Sequence, residues 1–177
     1  MPNLTHRLAL ESDLAALRNL MHAAIDALQS SFLTPAQVAA SHAIMGLDTT
    51  LVADGTYYVI ECDGALAGCG GWSRRATLYG GNHTAGRDDA LLDPARDAAR
   101  IRAMYTHPAF ARLGVGKRVI GLCESAARAE GFRRTELVAT LAGEPLYRAC
   151  GYTQIERFDS AVIDGVTVPL VRMGKTL

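Results

Sequence analysis

The sequence carries few aromatic residues and no excess of either charge. Aromatic side chains make up 6% of its 177 residues, and Trp72 is the only tryptophan. Its 18 Lys and Arg residues balance its 18 Asp and Glu residues, so the formal net charge at pH 7 is +0. A neutral chain has no overall field that would attract nucleic acid or an anionic membrane. We expect neither partner, and any anionic ligand must be bound by a local arrangement of residues.

Long apolar runs and closely spaced cysteines are also lacking. No segment approaches the roughly 18 apolar residues of a membrane-spanning helix. The N-terminus lacks the basic start and apolar stretch that mark a signal peptide, so we expect a cytoplasmic location. The cysteines are Cys62, Cys69, Cys123 and Cys150, and no two form the short-spaced pairs typical of zinc or redox sites. We therefore expect reduced, mostly buried thiols and no metal.

The chain is long and apolar enough for one core. Apolar residues make up 49% of it, and its mean hydropathy is +0.09. A chain of this length can bury about 70% of the surface that it exposes when unfolded. We expect residues 1–177 to form a single domain. Predicted helices and strands alternate along it, which is typical of a mixed α/β (α+β) fold.

The first third of the chain is predicted to form a strand and two helices. Thr5–Leu10 alternates as a short strand, and Ser12 or Asp13 can cap the helix that follows. Thr34-Pro35-Ala36-Gln37 combines the hydroxyl, proline and glutamine of a capping box, so a second helix should begin there.

The middle of the chain is predicted to form a hairpin and a long loop. The strands Tyr57–Cys62 and Ala65–Trp72 flank Asp63-Gly64, a pair that tolerates the positive φ of a tight turn. Periodicity is lost from Ser73 to Ala98, where glycine and aspartate are scattered. A loop of this length inside a compact domain is usually functional or mobile.

The last part of the chain alternates strands and helices again. Its predicted elements are the strand Ile101–Thr106, a helix from Val115 that ends at Gly131, the strand Thr135–Thr140, the helix Pro145–Cys150, and the strands Thr153–Ile163 and Val166–Met173. The last two strands flank Asp164-Gly165, a second hairpin turn. Val162–Val171 is apolar and could offer the edge of a homodimer or be completed within the monomer.

The most informative segment runs from Met104 to Lys117, where a strand, a turn and a helix start follow one another. The first amides of a helix have no intrahelical acceptor, and the helix dipole adds about half a positive charge there. A phosphate can therefore be held by backbone alone. Gly114 and Gly116 let phosphate oxygens approach those amides, and Arg112 and Lys117 can add charge. A Gly-x-Gly turn without a ligand is the competing interpretation.

Two other phosphate-binding motifs fit less well. A P-loop needs a glycine where Ala111 stands and a Ser or Thr where Arg118 stands. A dinucleotide fingerprint needs Gly or Ala where Val119 stands, although Glu136 lies at the spacing of a ribose contact. A nucleotide-binding domain that takes ATP or NAD stays open as an alternative.

Two motifs occur together in this part of the chain. A strand that ends in His107-Pro108 leads to the loop Arg112-Leu113-Gly114-Val115-Gly116-Lys117, and a later helix reads Leu146-Tyr147-Arg148-Ala149-Cys150-Gly151-Tyr152. With this succession, residues 100–158 resemble the GNAT superfamily of acetyl-CoA-dependent N-acetyltransferases. The resemblance implies a mixed, mostly antiparallel sheet with helices on both faces.

The resemblance also implies how acetyl-CoA would bind. The amides from Arg112 to Lys117 would hold its pyrophosphate, and the backbone of Met104, Tyr105 and Thr106 would pair with its pantetheine arm. The family's loop usually begins with Gln or Arg where Ala111 stands, so the arginine is displaced by one position here.

Tyr147 matches the tyrosine that protonates the departing thiolate of coenzyme A in many members of the family. A phenol with a pKa near 10 can donate to a sulfur whose thiol pKa is near 8.5. The competing interpretation is a core aromatic on an amphipathic helix. No general base is evident, and the candidates by position are Glu61, Glu136, Glu144 and His107.

The implied function is transfer of an acetyl group from acetyl-CoA to a primary amine of a small molecule or peptide, by direct attack in a ternary complex. The acceptor is expected between the first two helices and the loop, where Trp72 and Tyr79 either wall the site or close the core. The loop residues Asp88, Asp89, Asp93 and Asp97 either attract a cationic amine or are simply solvated. The alternative from another class is a non-catalytic module that binds or senses acyl-CoA.

Overall fold

A computed structural model describes residues 2–177 and places five helices against one sheet. The helices are α1 (Leu14–Leu28), α2 (Pro35–Ile44), α3 (Thr49–Ala53), α4 (Val115–Ala129) and α5 (Glu144–Ala149). The strands are β1 (Leu4–Leu8), β2 (Tyr57–Cys62), β3 (Ala65–Ser73), β4 (Ala99–Thr106), β5 (Arg134–Thr140), β6 (Thr153–Asp159) and β7 (Pro169–Thr176). Within the described chain, none of the helices is both long and apolar enough to cross a bilayer.

The sheet is mixed and mostly antiparallel. Its strand order is β1-β2-β3-β4-β5-β7-β6. Every neighbouring pair runs antiparallel except β4 and β5, which run parallel. On one face, Val119 and Cys123 of α4 belong to the same buried cluster as Leu137 of β5. On the other, α1 buries Leu17 and Ile25 in a second cluster, so the expected sheet with helices on both faces is confirmed.

Local sequence signals account for several boundaries. Asp63 and Gly64 have φ angles of 49° and 85°, as the predicted hairpin turn between β2 and β3 requires. At the start of α2, the amide of Gln37 donates to Thr34 Oγ1 at 3.2 Å. The amide of Thr34 donates to Gln37 Oε1 at 3.1 Å, so the predicted capping box is confirmed.

The start of α1 differs from the prediction. Asp13 occupies the predicted N-cap position of α1, but its side chain makes no capping hydrogen bond there. Its carboxylate instead accepts a 2.7 Å hydrogen bond from the amide of Leu10 and pairs with Arg7 at 2.8 Å. Residues Glu11–Asp13 form a short 3-10 turn instead, and the preceding strand ends at Leu8 rather than at Leu10.

One helix, α3, is absent from the predicted elements. Its N-cap is Asp48, whose Oδ1 accepts a 2.9 Å hydrogen bond from the amide of Thr50. Aspartate is a favoured N-cap residue, so the signal was present in the sequence. A five-residue helix is too short to show a helical period.

The last hairpin is shorter than predicted. β6 ends at Asp159 and β7 begins at Pro169, while Ile163 and Val166 pair only as an isolated bridge. β7 lies between β5 and β6, so the edge of the sheet at this end is β6 and not Val162–Val171. Assembly into a homodimer stays a prediction, which sedimentation tests.

β4 and β5 separate soon after they meet. Their pairing covers only Ala99 with Thr135 and Arg100 with Glu136. Ala103 then has a φ of 50°, beside a register shift in the pairing of β3 with β4. A bulge of this kind bends a strand. The bend opens a gap through the middle of the sheet.

Candidate functional site

A cavity of about 660 Å³ lies where β4 and β5 diverge. Its lining comes from both faces of the sheet: Leu28 of α1 and Ile44 of α2 on one side, Gly116 of α4 and Tyr147 of α5 on the other. Ile101 of β4 lies between them. Two reactants that enter from opposite faces could therefore meet between the strands.

The amides that lead into α4 are free. Within residues 2–177, no backbone N–H from Arg112 to Lys117 donates to an acceptor. The helical hydrogen bonds of α4 begin with Arg118, whose amide donates to the Gly114 carbonyl at 3.0 Å. The φ angles of Arg112 and Gly114 are 68° and 87°, which turns the segment into a concave nest of N–H groups. This nest, at the positive end of a helix, suits a phosphate.

The structure brings nearly all the predicted binding residues to the cavity. Those that line it are Met104, Tyr105, Thr106, Arg112, Gly114, Val115, Gly116 and Lys117. Leu113 is the exception, because its side chain is exposed and outside the lining, although its amide belongs to the free series. Beyond Arg100, the side of β4 that faces β5 has no strand partner, so its backbone groups can pair with an extended ligand.

A close contact between helices places Tyr147 beside the nest. A Cβ added at Gly116 would lie 2.5 Å from Leu146 Cδ2, so the methyl group of Leu146 packs in the space that this glycine leaves open. At the start of α5, the amide of Gly143 donates to Thr140 Oγ1 at 3.1 Å. Together these contacts hold Tyr147 against the cavity.

The Tyr147 hydroxyl differs from those of the other buried tyrosines. Tyr57, Tyr105 and Tyr152 bond to the Ala103 carbonyl, the Gly46 carbonyl and Thr135 Oγ1. In the described chain, the hydroxyl of Tyr147 has no such partner, although the residue is only 9% exposed. Burial raises the pKa of the Tyr147 phenol above its ordinary value, so the hydroxyl is a proton donor at neutral pH.

None of the four general-base candidates lines the cavity, as far as residues 2–177 define it. Glu61 pairs with Arg7, Glu136 with Arg100 and Arg172, and Glu144 with Arg148 and Arg157. His107 Nδ1 accepts a 3.2 Å hydrogen bond from the amide of Ala109 and so caps a short 3-10 turn. Each group is therefore committed to a structural contact.

The charges around the cavity are all positive. Among the described residues, the lining includes no carboxylate, histidine or cysteine, and its charged members are Arg102, Arg112 and Lys117. All four cysteines are free, and the described chain holds no group of side chains arranged for a metal ion. Burial raises the pKa of Cys69 to about 12, so this thiol is not poised to be a nucleophile.

Tyr79 and Trp72 have different positions. Tyr79 lines the cavity, whereas Trp72 is 2% exposed and packs edge-on against Phe132, with ring centroids 6.0 Å apart. Trp72 therefore belongs to the core.

The loop aspartates do not line the cavity; Asp88 and Asp97, for example, accept hydrogen bonds from loop amides at 3.0 Å and 2.7 Å.

Sequence reasoning missed a buried ionic cluster at the wall of the cavity. Asp48 is 4% exposed, and its Oδ2 accepts hydrogen bonds of 3.0 Å from both Arg87 and Arg102. Arg102 also donates to the carbonyls of Gly80 at 2.6 Å and Thr77 at 3.3 Å. These contacts fix both ends of the segment that contains Tyr79. The partners lie 54 residues apart in sequence, so no local pattern could reveal them.

Comparisons with known proteins agree with this architecture. A family model described as the acetyltransferase (GNAT) family matches residues 18–152. No curated protein sequence matches the chain.

Several solved structures have a similar fold. A GCN5-related N-acetyltransferase from Rhodopseudomonas palustris is 21% identical with a TM-score of 0.70, covering 100% of this chain and 96% of its own. PaiA N-acetyltransferase from Thermoplasma acidophilum, solved with coenzyme A, is 11% identical with a TM-score of 0.66 and 99% coverage of both chains. A phosphinothricin acetyltransferase from Sinorhizobium meliloti, solved with acetyl-CoA, is 19% identical with a TM-score of 0.65, covering 98% of this chain and 88% of its own.

Proposed function

This chain belongs to the acetyltransferase (GNAT) family, and on that premise we propose that it transfers an acetyl group from acetyl-CoA to a primary amine by direct attack in a ternary complex. The observation that carries the proposal is the run of free amides from Arg112 to Lys117, which opens onto a cavity through the sheet. Relatives solved with coenzyme A or acetyl-CoA support the choice of co-substrate.

The residues present fit this co-substrate. The nest supplies backbone donors for a pyrophosphate, and Arg112 and Lys117 add positive charge beside it. The unpaired side of β4 at Met104 and Thr106 offers backbone groups for the amide-containing pantetheine arm. The arm would then run along β4 and bring the thioester to the gap between β4 and β5.

The reaction needs an amine nitrogen with a free electron pair. That nitrogen forms a bond to the acetyl carbon, the carbon–sulfur bond breaks, and its electron pair stays on sulfur. The amine gives up a proton to solvent, and the departing sulfur gains one. Holding both reactants in one cavity makes the attack effectively unimolecular, which is the largest contribution that we assign to the protein.

Tyr147 is proposed to stabilise the departing sulfur. Tyr147 lines the cavity and its hydroxyl has no protein partner in the described chain, so it is available as a donor. Because burial raises the phenol pKa, complete transfer to a thiolate is uphill, and the main effect is a hydrogen bond to the developing charge. The sulfur can then take its proton from solvent.

Calorimetric titration with acetyl-CoA, with ATP and NAD as controls, tests the proposal first. We expect selective micromolar binding, which corresponds to about −8 kcal/mol. Thiol release during incubation with a panel of amines then tests turnover. Preference for ATP or NAD would instead favour a nucleotide-binding domain. Tight acetyl-CoA binding without turnover over the whole panel would favour a sensing module.

A further inference from the structure

The face of the cavity opposite α4 and α5 is almost entirely apolar. Its wall is formed by the C-terminal ends of α1 and α2, the turn between them, and residues 78–80 of the long loop. The apolar side chains that line this acceptor half are Ile25, Leu28, Phe32, Ile44, Met45 and Leu78. Phe32 lines the cavity and is 49% exposed, so an apolar ligand could cover part of its ring.

Two uncharged polar side chains, Gln29 and Tyr79, interrupt this wall. Gln29 is 3% exposed and lines the cavity. Its Nε2 donates to Met45 Sδ at 3.1 Å, whereas its Oε1 is buried and has no partner within residues 2–177. A buried oxygen without a donor is costly, and a ligand N–H in the cavity would satisfy it once the Gln29 amide turns toward the ligand.

The charges present oppose a polycation. The lining offers no carboxylate among the described residues, and the buried carboxylate of Asp48, which bonds to Arg102 of the lining, is already shared by Arg87 and Arg102. An amine with several charges needs carboxylates to replace its lost hydration. A single amine on an apolar body loses little hydration there, and burial favours its neutral, nucleophilic form.

We infer that the acceptor is a hydrophobic primary monoamine, whose apolar body packs against Phe32 and Leu28 and whose N–H donates to Gln29 Oε1. This inference rests on the proposed function and names its substrate class. It accounts for the lack of a general base in the lining, because transfer into the apolar wall promotes loss of the amine proton to solvent. It excludes polyamines and aminoglycosides as preferred acceptors.

The test measures binding of 2-phenylethylamine, spermidine and kanamycin to the protein saturated with coenzyme A, so that no turnover is needed. We expect 2-phenylethylamine to bind at least about tenfold more tightly than either polycation. Phe32→Ala should weaken its binding about threefold to tenfold. Val162→Ala, which truncates a side chain that is 67% exposed and outside the cavity lining, is the matched control and should change nothing.

Gln29→Leu provides a second variant that should keep the fold, because it removes a buried unpaired oxygen at nearly constant volume. We expect an unchanged or higher melting temperature together with weaker amine binding, by about threefold to tenfold. Equal or tighter binding of spermidine or kanamycin would overturn the inference, as would a failure of both variants to alter amine affinity.

A turnover assay separates this inference from the proposed function. Acetylation of 2-phenylethylamine ahead of spermidine would support both. Acetylation of spermidine ahead of 2-phenylethylamine would overturn the inference and leave the acetyltransferase activity intact. Selective amine binding without thiol release would support the acceptor class and count against the transfer reaction.

Discussion

The hydroxyl of Tyr57 donates a 2.6 Å hydrogen bond to the carbonyl of Ala103, the residue whose left-handed φ bends β4 at the cavity. Tyr57 is 2% exposed and belongs to the core cluster under α1. A non-glycine residue with positive φ is costly unless its surroundings hold it in place. The core therefore stabilises the bend that separates β4 from β5.

Tyr57→Phe should loosen this bend. The substitution leaves the partly buried Ala103 carbonyl without its donor, which costs about 1 kcal/mol of unfolding free energy. We expect a lower melting temperature and a higher KM for acetyl-CoA. The control is Tyr58→Phe on the same strand, whose ring is only partly buried and packs on the other face of the sheet. Equal effects of the two variants would show that the bond does not support the site.

Gly114→Ala should weaken acetyl-CoA binding through backbone conformation alone. An added Cβ at Gly114 meets no atom within 4 Å, but the φ of 87° is unfavourable for alanine by roughly 1–2 kcal/mol. If the backbone at residue 114 moved to relieve that strain, the N–H groups of the nest would no longer converge. We expect calorimetry to show about tenfold weaker binding of acetyl-CoA.

Gly121→Ala on the same helix is the matched control for that change. Its Cβ also meets no atom within 4 Å, and the position is in the middle of α4. Alanine there should stabilise the helix by up to about 1 kcal/mol and leave acetyl-CoA affinity unchanged. Undiminished affinity in Gly114→Ala would remove the pyrophosphate assignment.

Tyr147→Phe should slow transfer without loosening the fold. The hydroxyl has no protein partner in the described chain, so its removal should leave the melting temperature nearly unchanged. We expect kcat to fall by about 10–100-fold while acetyl-CoA affinity is retained. Tyr79→Phe, also at the cavity but on the acceptor side, should leave kcat within about twofold. Wild-type turnover of Tyr147→Phe across pH would refute the assigned role.

Asp48→Asn should destabilise the protein and its acceptor wall. Burial alone would raise the pKa of Asp48, but hydrogen bonds and charge from Arg87 and Arg102 lower it. The carboxylate therefore adds stability above its ordinary pKa of about 3.9, and that stability is lost as pH falls through the lowered value.

Removal of this charge leaves Arg102 buried without its counterion, which costs about 3–5 kcal/mol. Denaturant titration at pH 7 measures the loss, and it should shrink in acid, where the wild-type carboxylate is also neutral. Asp89→Asn, at a carboxylate whose side chain is 63% exposed, is the control and should cost under 1 kcal/mol by typical surface values. A similar small loss in Asp48→Asn would mean that the cluster does not hold the loop.

Local chemistry made much of the co-substrate half predictable. One stretch of sequence contains the Gly114 turn, the helix that follows it and Tyr147. The residue type at each of these positions is explained by its near neighbours in the sequence. The acceptor half comes together from α1, α2 and a loop without periodicity. The sequence around Gln29 is that of an ordinary helix end. Only the buried, unpartnered Oε1 of its side chain distinguishes Gln29 from other residues at helix ends.

The pH dependence of transfer should belong to the amine and not to the protein. The lining, in the part of the chain that the structure describes, lacks carboxylate, histidine and cysteine, the side chains that ordinarily titrate between about pH 4 and 9. The raised pKa of Tyr147 keeps its hydroxyl protonated beyond pH 10. Ionisation of Tyr147 therefore does not lower kcat/KM below that pH. We expect kcat/KM to rise about tenfold per pH unit up to the pKa of the free amine, near 10 for an alkylamine.

A series of primary monoamines of similar shape and decreasing pKa checks this expectation, because the plateau should move to lower pH with the amine. The amines must differ in pKa by more than about one unit for the shift to be resolved. A plateau that stays between pH 5 and 8 for every amine would reveal a protein base that acts through water. His107 and Glu144, close in sequence to the nest and to Tyr147, would then be the first residues to replace.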